Sequence, residues 1–204
     1  MENLTLNRRG LLQSLAAVMV GSTVPDLFST EADSVQNLIQ DPAKAIHVPA
    51  ASGKHGKIAD GNIAFKFTKA NTGGHLGVTE GDLPVGFLGA PPHLHQNFDE
   101  ICRVTQGVLT IMVGEQLFEV KAGDWHLRPK GIVHTFWNAG KETAKFIELY
   151  VPGGHEGYME ALSAYFVNGQ RPKPGDLESL AQRFDIKFDW PKLKMVIDKY
   201  KVHL

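Results

Sequence analysis

The chain has 204 residues, 43% of them hydrophobic and 21% charged, with a formal net charge of -1 and a single cysteine. That length accommodates one domain with a substantial core. The near-zero charge argues against nucleic acid or an anionic membrane as a partner, and one cysteine excludes an intramolecular disulfide.

At the N-terminus, Arg8 and Arg9 stand directly before a short apolar run over 11–21 that contains no acidic residue. Such a run is too short to span a bilayer, so it predicts an export signal without stable membrane insertion. The stretch resembles the twin-arginine leader of bacteria, although Gly10-Leu11-Leu12-Gln13 departs from the usual ending. Residues 1–29 are therefore assigned to export, with the periplasm as the expected compartment. The competing reading is a frayed amphipathic helix on a cytoplasmic protein. Removing 1–29 would take away Glu2, Arg8, Arg9 and Asp26 and leave the net charge unchanged. Residues 30–45 are polar and read as a linker.

From 46 onward the pattern becomes short β-type runs separated by Gly and Pro. An alternating run occupies 63–67, a Gly-Gly break follows at Gly73 and Gly74, and 76–79 resumes the pattern. Residues 80–92 hold three Gly and three Pro, which predicts a loop. Six runs then follow at 101–105, 108–113, 116–121, 125–128, 133–137 and 145–151, with turn residues between them. Strands at this spacing predict an all-β sandwich or barrel over 46–154.

After Pro152 the period turns helical, with Tyr158, Leu162, Tyr165 and Phe166 on one face and Leu177, Leu180, Ala181 and Phe184 on another. Asp176 is the expected N-cap of the second segment, and Trp190-Pro191 is expected to end it. Lys192 onward would form a last short helix or an arm. Residues 155–204 are read as a helical extension packed on the same domain.

Four residues predict a metal site: His93, His95, Glu100 and His134. Side chains two apart on a strand share a face, so His93 and His95 can converge on one point. Glu100 lies an odd step further on, so a turn at Asn97-Phe98-Asp99 must intervene. Glu100 is then expected to open a neighbouring strand, and His134 to come from a third. Three imidazoles and one carboxylate suit a divalent transition ion, Fe, Mn, Ni, Co, Cu or Zn, better than calcium or magnesium.

The spacing of these residues resembles both motifs of the cupin superfamily. His93, His95, Glu100 and Gly107 match the first, and Gly123, Pro129, Gly131, His134 and Asn138 match the second in full. The first departs only at its opening glycine, where Phe87 stands between Gly86 and Gly89. The resemblance implies a double-stranded β-helix, or jelly roll, with the ion inside near one mouth. The helical tail is similar to that of small quercetin-dioxygenase-like cupins. That likeness implies a metal-dependent dioxygenase acting on a small oxygenated organic molecule, with Glu100 as ligand and catalytic base. A non-redox lyase, isomerase or decarboxylase, and a non-catalytic binding cupin, are the alternatives. The cupin resemblance also implies a homodimer, paired through outer sheet faces.

Other residues carry weaker expectations. Phe98, Phe136 and Trp137 read either as walls of an aromatic pocket or as core and loop anchors. Cys102 and Val104 should point inward with Glu100, and Cys102 reads as a buried hydrophobe. His75, His126 and His155 lie outside both motifs and are given no site role, His126 being expected to face away from the ion.

Overall fold

The structure is a computed structural model describing residues 44–50, 52–173 and 175–204. The expected export signal and nearly all of the linker lie outside the described residues. Among the described residues eleven strands are formed: β1 (Lys54–Ile58), β2 (Gly61–Phe67), β3 (Gly77–Leu83), β4 (His93–Leu94), β5 (Asp99–Gln106), β6 (Val108–Val113), β7 (Gln116–Lys121), β8 (Trp125–Arg128), β9 (His134–Trp137), β10 (Ala144–Val151) and β11 (Lys187–Phe188). The helices are α1 (His155–Ser163), a 3-10 turn (Ala164–Gly169), α2 (Asp176–Ala181) and α3 (Trp190–Tyr200). Among the described residues no helix is long and apolar enough to cross a membrane.

Two antiparallel sheets face one another. One runs β1-β2-β3-β10-β5-β8 and the other β11-β4-β9-β6-β7. This is the expected jelly roll. Strict alternation sets the interior: Glu100, Cys102 and Val104 of β5 are buried, as are Ala144, Phe146, Glu148 and Tyr150 of β10. Register lays them side by side, with Tyr150 opposite Glu100, Glu148 opposite Cys102 and Phe146 opposite Val104. Away from the polar end the interior is apolar, built on Leu83, Val104, Leu109, Ile111, Val120 and Phe146. A second cluster, Met112, Trp137, Val196 and Val202, seats α3 on the outer face of the five-stranded sheet.

Four local expectations are corrected. Residues 80–83 belong to β3 and are not a loop. Gly81 sits within the strand because an added Cβ would lie 2.9 Å from the Phe146 ring, so it marks close packing and not a turn. Glu100 does open a strand, but β5 lies in the sheet facing β4 and not beside it. Asp176 is the first helical residue after the cap Gly175, and its carboxylate accepts from the Lys173 N–H. Trp190-Pro191 begins α3, because Asp189 caps it by accepting from the Lys192 N–H at 3.0 Å and proline suits a first turn.

Leu109 is fully buried between the sheets. Leu109→Ala should lower unfolding free energy by about 2–5 kcal/mol in urea titrations while leaving the far-ultraviolet circular dichroism of the folded state unchanged.

Candidate metal centre

The two sheets bring the four predicted residues together. His93 on β4 lies directly across from His134 on β9, and their rings meet edge to face at 4.6 Å. His95 follows the end of β4, and Glu100 enters from the opposite sheet. All four are buried, and their donor atoms lie within 4.8 Å of one another.

Backbone contacts aim the donors. His93 Nδ1 is 2.8 Å from the Pro91 carbonyl and His134 Nδ1 is 2.9 Å from that of Ile132. A carbonyl only accepts, so both Nδ1 atoms carry a proton, and it is the Nε2 atoms that are left to face the cluster. Gly131, at φ 77°, donates its N–H to the His95 carbonyl at 2.7 Å and so ties the turn before His134 to the His95 segment. Phe98 stacks on His95 with ring centroids 3.7 Å apart, which makes it a packing partner of a donor.

The electrostatics favour metal-binding protonation states. Burial pushes His93 well below the ordinary histidine value, assisted by His134, and burial also lowers His95. Burial alone would raise the Glu100 carboxyl, but Arg128 and His134 outweigh it and hold the group well below the usual range. Arg128 Nη1 lies 3.2 Å from Glu100 Oε2, and its Nη2 donates to Glu148 Oε2. Two carboxylates thus share one guanidinium. Burial pushes Glu148 up to about 7, against the pull of Arg128. The neighbouring Cys102 thiol is pushed up by burial and by Glu148, so it is inert as a nucleophile.

The residues fit an ion. Both nitrogens of His95 and Nε2 of His134 are buried without a hydrogen-bond partner among the described residues. Such orphans are costly unless something fills the space between them, and a cation does so for neutral imidazoles facing a carboxylate.

Beside the donors lies a cavity of about 270 Å³, lined in part by His93, Glu100, Phe136 and Tyr158. Of the three aromatic candidates only Phe136 lines it. Trp137 points outward onto α3, its ring 4.5 Å from Tyr200. Asn138 is a turn residue, donating to the Leu83 and Glu142 carbonyls and accepting from the Gly140 N–H.

Two histidines differ from expectation. His126 shares the inward face of β8 with Arg128, because Trp125 and Leu127 occupy the outward positions at 58% and 52% exposure. It packs on Phe118 and is not among the four clustered donors. His155 was assigned no role, yet its Nε2 lies 3.5 Å from Glu100 Oε1. Asp185 was also missed; its carboxylate accepts from the N–H groups of Gln96 and Asn97 at 2.7 and 2.6 Å and shapes the turn between His95 and Glu100. Only the helical period near these residues was readable, and it says nothing of what they touch.

Residues 80–150 match the family profile described as Cupin domain. Among solved structures, KdgF from Halomonas sp. is similar with a TM-score of 0.50 at 16% identity, covering 56% of this chain and 99% of its own. A predicted oxalate decarboxylase from Thermotoga maritima gives a TM-score of 0.48 at 18% identity, covering 52% and 99% respectively. The polyketide cyclase RemF from Streptomyces resistomycificus gives 0.46 at 16%, covering 53% and 80%. At these identities the likeness concerns the fold. No curated protein matches the chain. The profile match and the fold together support the cupin superfamily, with a buried site able to hold a metal ion.

Two outcomes follow. Arg128→Leu should destabilise the metal-free protein by about 3–5 kcal/mol in denaturant titrations, because it strands Glu100 and Glu148 in the interior. Burial pushes His126 and His155 down to about 4 from the ordinary 6.5. Between these values the two histidines bind fewer protons in the folded state than in the unfolded chain, which outweighs the one extra proton held by Glu148, so stability falls as pH drops through that window. The urea midpoint of metal-free protein should decline steadily from pH 6.5 toward 4.

Proposed function

We propose that the protein is a metal-dependent oxidoreductase of dioxygenase type acting on a small oxygenated organic molecule. The observation that carries this reading is the complete, buried donor set opening on a cavity with aromatic and aliphatic walls. His93, His95, Glu100 and His134 would hold one divalent transition ion. When bound, a redox-active ion supplies an electron-transferring centre between the organic substrate and dioxygen.

The chain's own residues do the rest. The Pro91 and Ile132 carbonyls keep two imidazoles in the donor tautomer. Arg128 keeps Glu100 ionised, so its carboxylate can accept the proton of a substrate hydroxyl at the cavity wall. The aromatic and aliphatic part of the wall lowers the polarity around that transfer. The arginine pair and apolar run support export to the periplasm by the twin-arginine route, which carries folded proteins with the ion already in place. A homodimer is also proposed.

Protein purified without a metal-chelating tag should carry one equivalent of iron, manganese, nickel, cobalt or copper by elemental analysis. That metal should be lost when His93 and His134 are both changed to Ala. Loaded protein should consume oxygen with a member of a hydroxylated-compound panel, and Glu100→Ala should abolish the uptake. Turnover without oxygen, sustained by zinc, would move the assignment to Lewis-acid chemistry. Absence of metal after reconstitution with every ion would remove the reading altogether.

A further inference from the structure

The C-terminal extension lies beyond the segment that matches the cupin profile, yet it supplies much of the lining of the cavity beside the donors. His155, Tyr158, Met159 and Leu162 of α1 line it at helical spacing, and Phe166 and Phe188 add to it from the 3-10 turn and β11. Across from them Phe136 points inward from β9 and is only half-buried, so its ring is presented to the cavity.

The polar side chains of the lining fall into two groups. One is gathered at the donor end, where His155 Nε2 lies 3.5 Å from Glu100 and Arg128 joins Glu100 to Glu148. Tyr150 belongs to this end because it is level with Glu100, and its hydroxyl pairs with Thr79 at 2.9 Å. Tyr158 belongs to it because its ring stacks on His155 with centroids 5.3 Å apart. The other group reaches the surface and is already paired within the chain. Asn62 donates its backbone and side-chain N–H groups to the two Asp82 oxygens at 2.8 Å, and the exposed Arg171 donates to Asp60 at 2.9 Å. The remaining side chains of the lining are apolar. A hydroxyl on a ligand body held against them would lose water and gain no side-chain partner. At about 270 Å³ the space is at the small end of ligand sites, room for one ring and a short chain.

We propose that the extension makes this cavity selective for a one-ring compound whose oxygen atoms are confined to the end that meets the donors and whose body is hydrocarbon. Leu162 and Phe166 are specificity-determining residues of that wall. The inference rests on the proposed function only in calling the compound a substrate; selection against a polar body does not need the ion.

The probes are 4-propylphenol and 4-(2,3-dihydroxypropyl)phenol, which share a ring and carbon skeleton and differ by two hydroxyls on the chain. Titration calorimetry on the full chain, metal-free and metal-loaded, should show the first bound about tenfold tighter or more. Leu162→Asn and Phe166→Asn, which put an amide on the wall, should each narrow the preference by about threefold or more. In the wild type, nuclear Overhauser contacts should join 4-propylphenol to the Leu162 methyl groups and the Phe166 ring. Equal affinities, tighter binding of the triol, no binding of either probe, or a preference unchanged in both variants would each overturn the inference. If neither variant folds, the wild-type Overhauser contacts decide, and their absence overturns it. Metal content of the same samples separates the two readings. A preference kept by protein that takes up no ion removes only the metal reading, and a preference absent from loaded protein removes only the selectivity.

Discussion

The Glu100 carboxylate is ionised and withdrawn from water, and the interior at that end of the sandwich is organised to make this tolerable. A desolvated charge is costly unless a counter-charge and hydrogen bonds compensate it, and Arg128 supplies the fixed positive charge at 3.2 Å. Arg128 is in turn anchored by Glu148, whose own affinity for a proton rises as a result of burial. Three imidazoles then surround a carboxylate that keeps its charge. That combination leaves lone pairs and a negative charge converging on one small volume.

The registers explain how a sheet achieves this. Glu100, Arg128 and Tyr150 lie level across three neighbouring strands of one sheet, while His93 and His134 lie level across two strands of the other. The next inward position along β5 is Cys102, level with Glu148, and the one after it is Val104, level with Phe146, where the interior has become hydrocarbon. The polar end is thus held against a rigid apolar base.

Much of this was readable beforehand. Strands β6, β7 and β8 begin and end where alternation and Gly-bounded turns put them, and the inward aim of Cys102 and Val104 follows from Glu100 by the period of two. The clustering of His93, His95, Glu100 and His134 follows from their spacing. What escaped was long-range. Alternation places Arg128 inward but cannot show that its partners are Glu100 and Glu148. Gly81 reads as a turn signal unless the Phe146 ring across the pair is known. His155 and Asp185 reach the site only because the extension folds back on the sandwich.

That return has a consequence for the order in which the molecule can be assembled. The turn separating His95 from Glu100 hangs by its amides from Asp185, 89 residues after Gln96. Closing so long a span is slow compared with forming the hairpins between neighbouring strands. During synthesis the sheets can pair while the donor turn still lacks its anchor. The turn that sets Glu100 against His95 therefore reaches its final form late, only after the segment carrying Asp185 has emerged and docked.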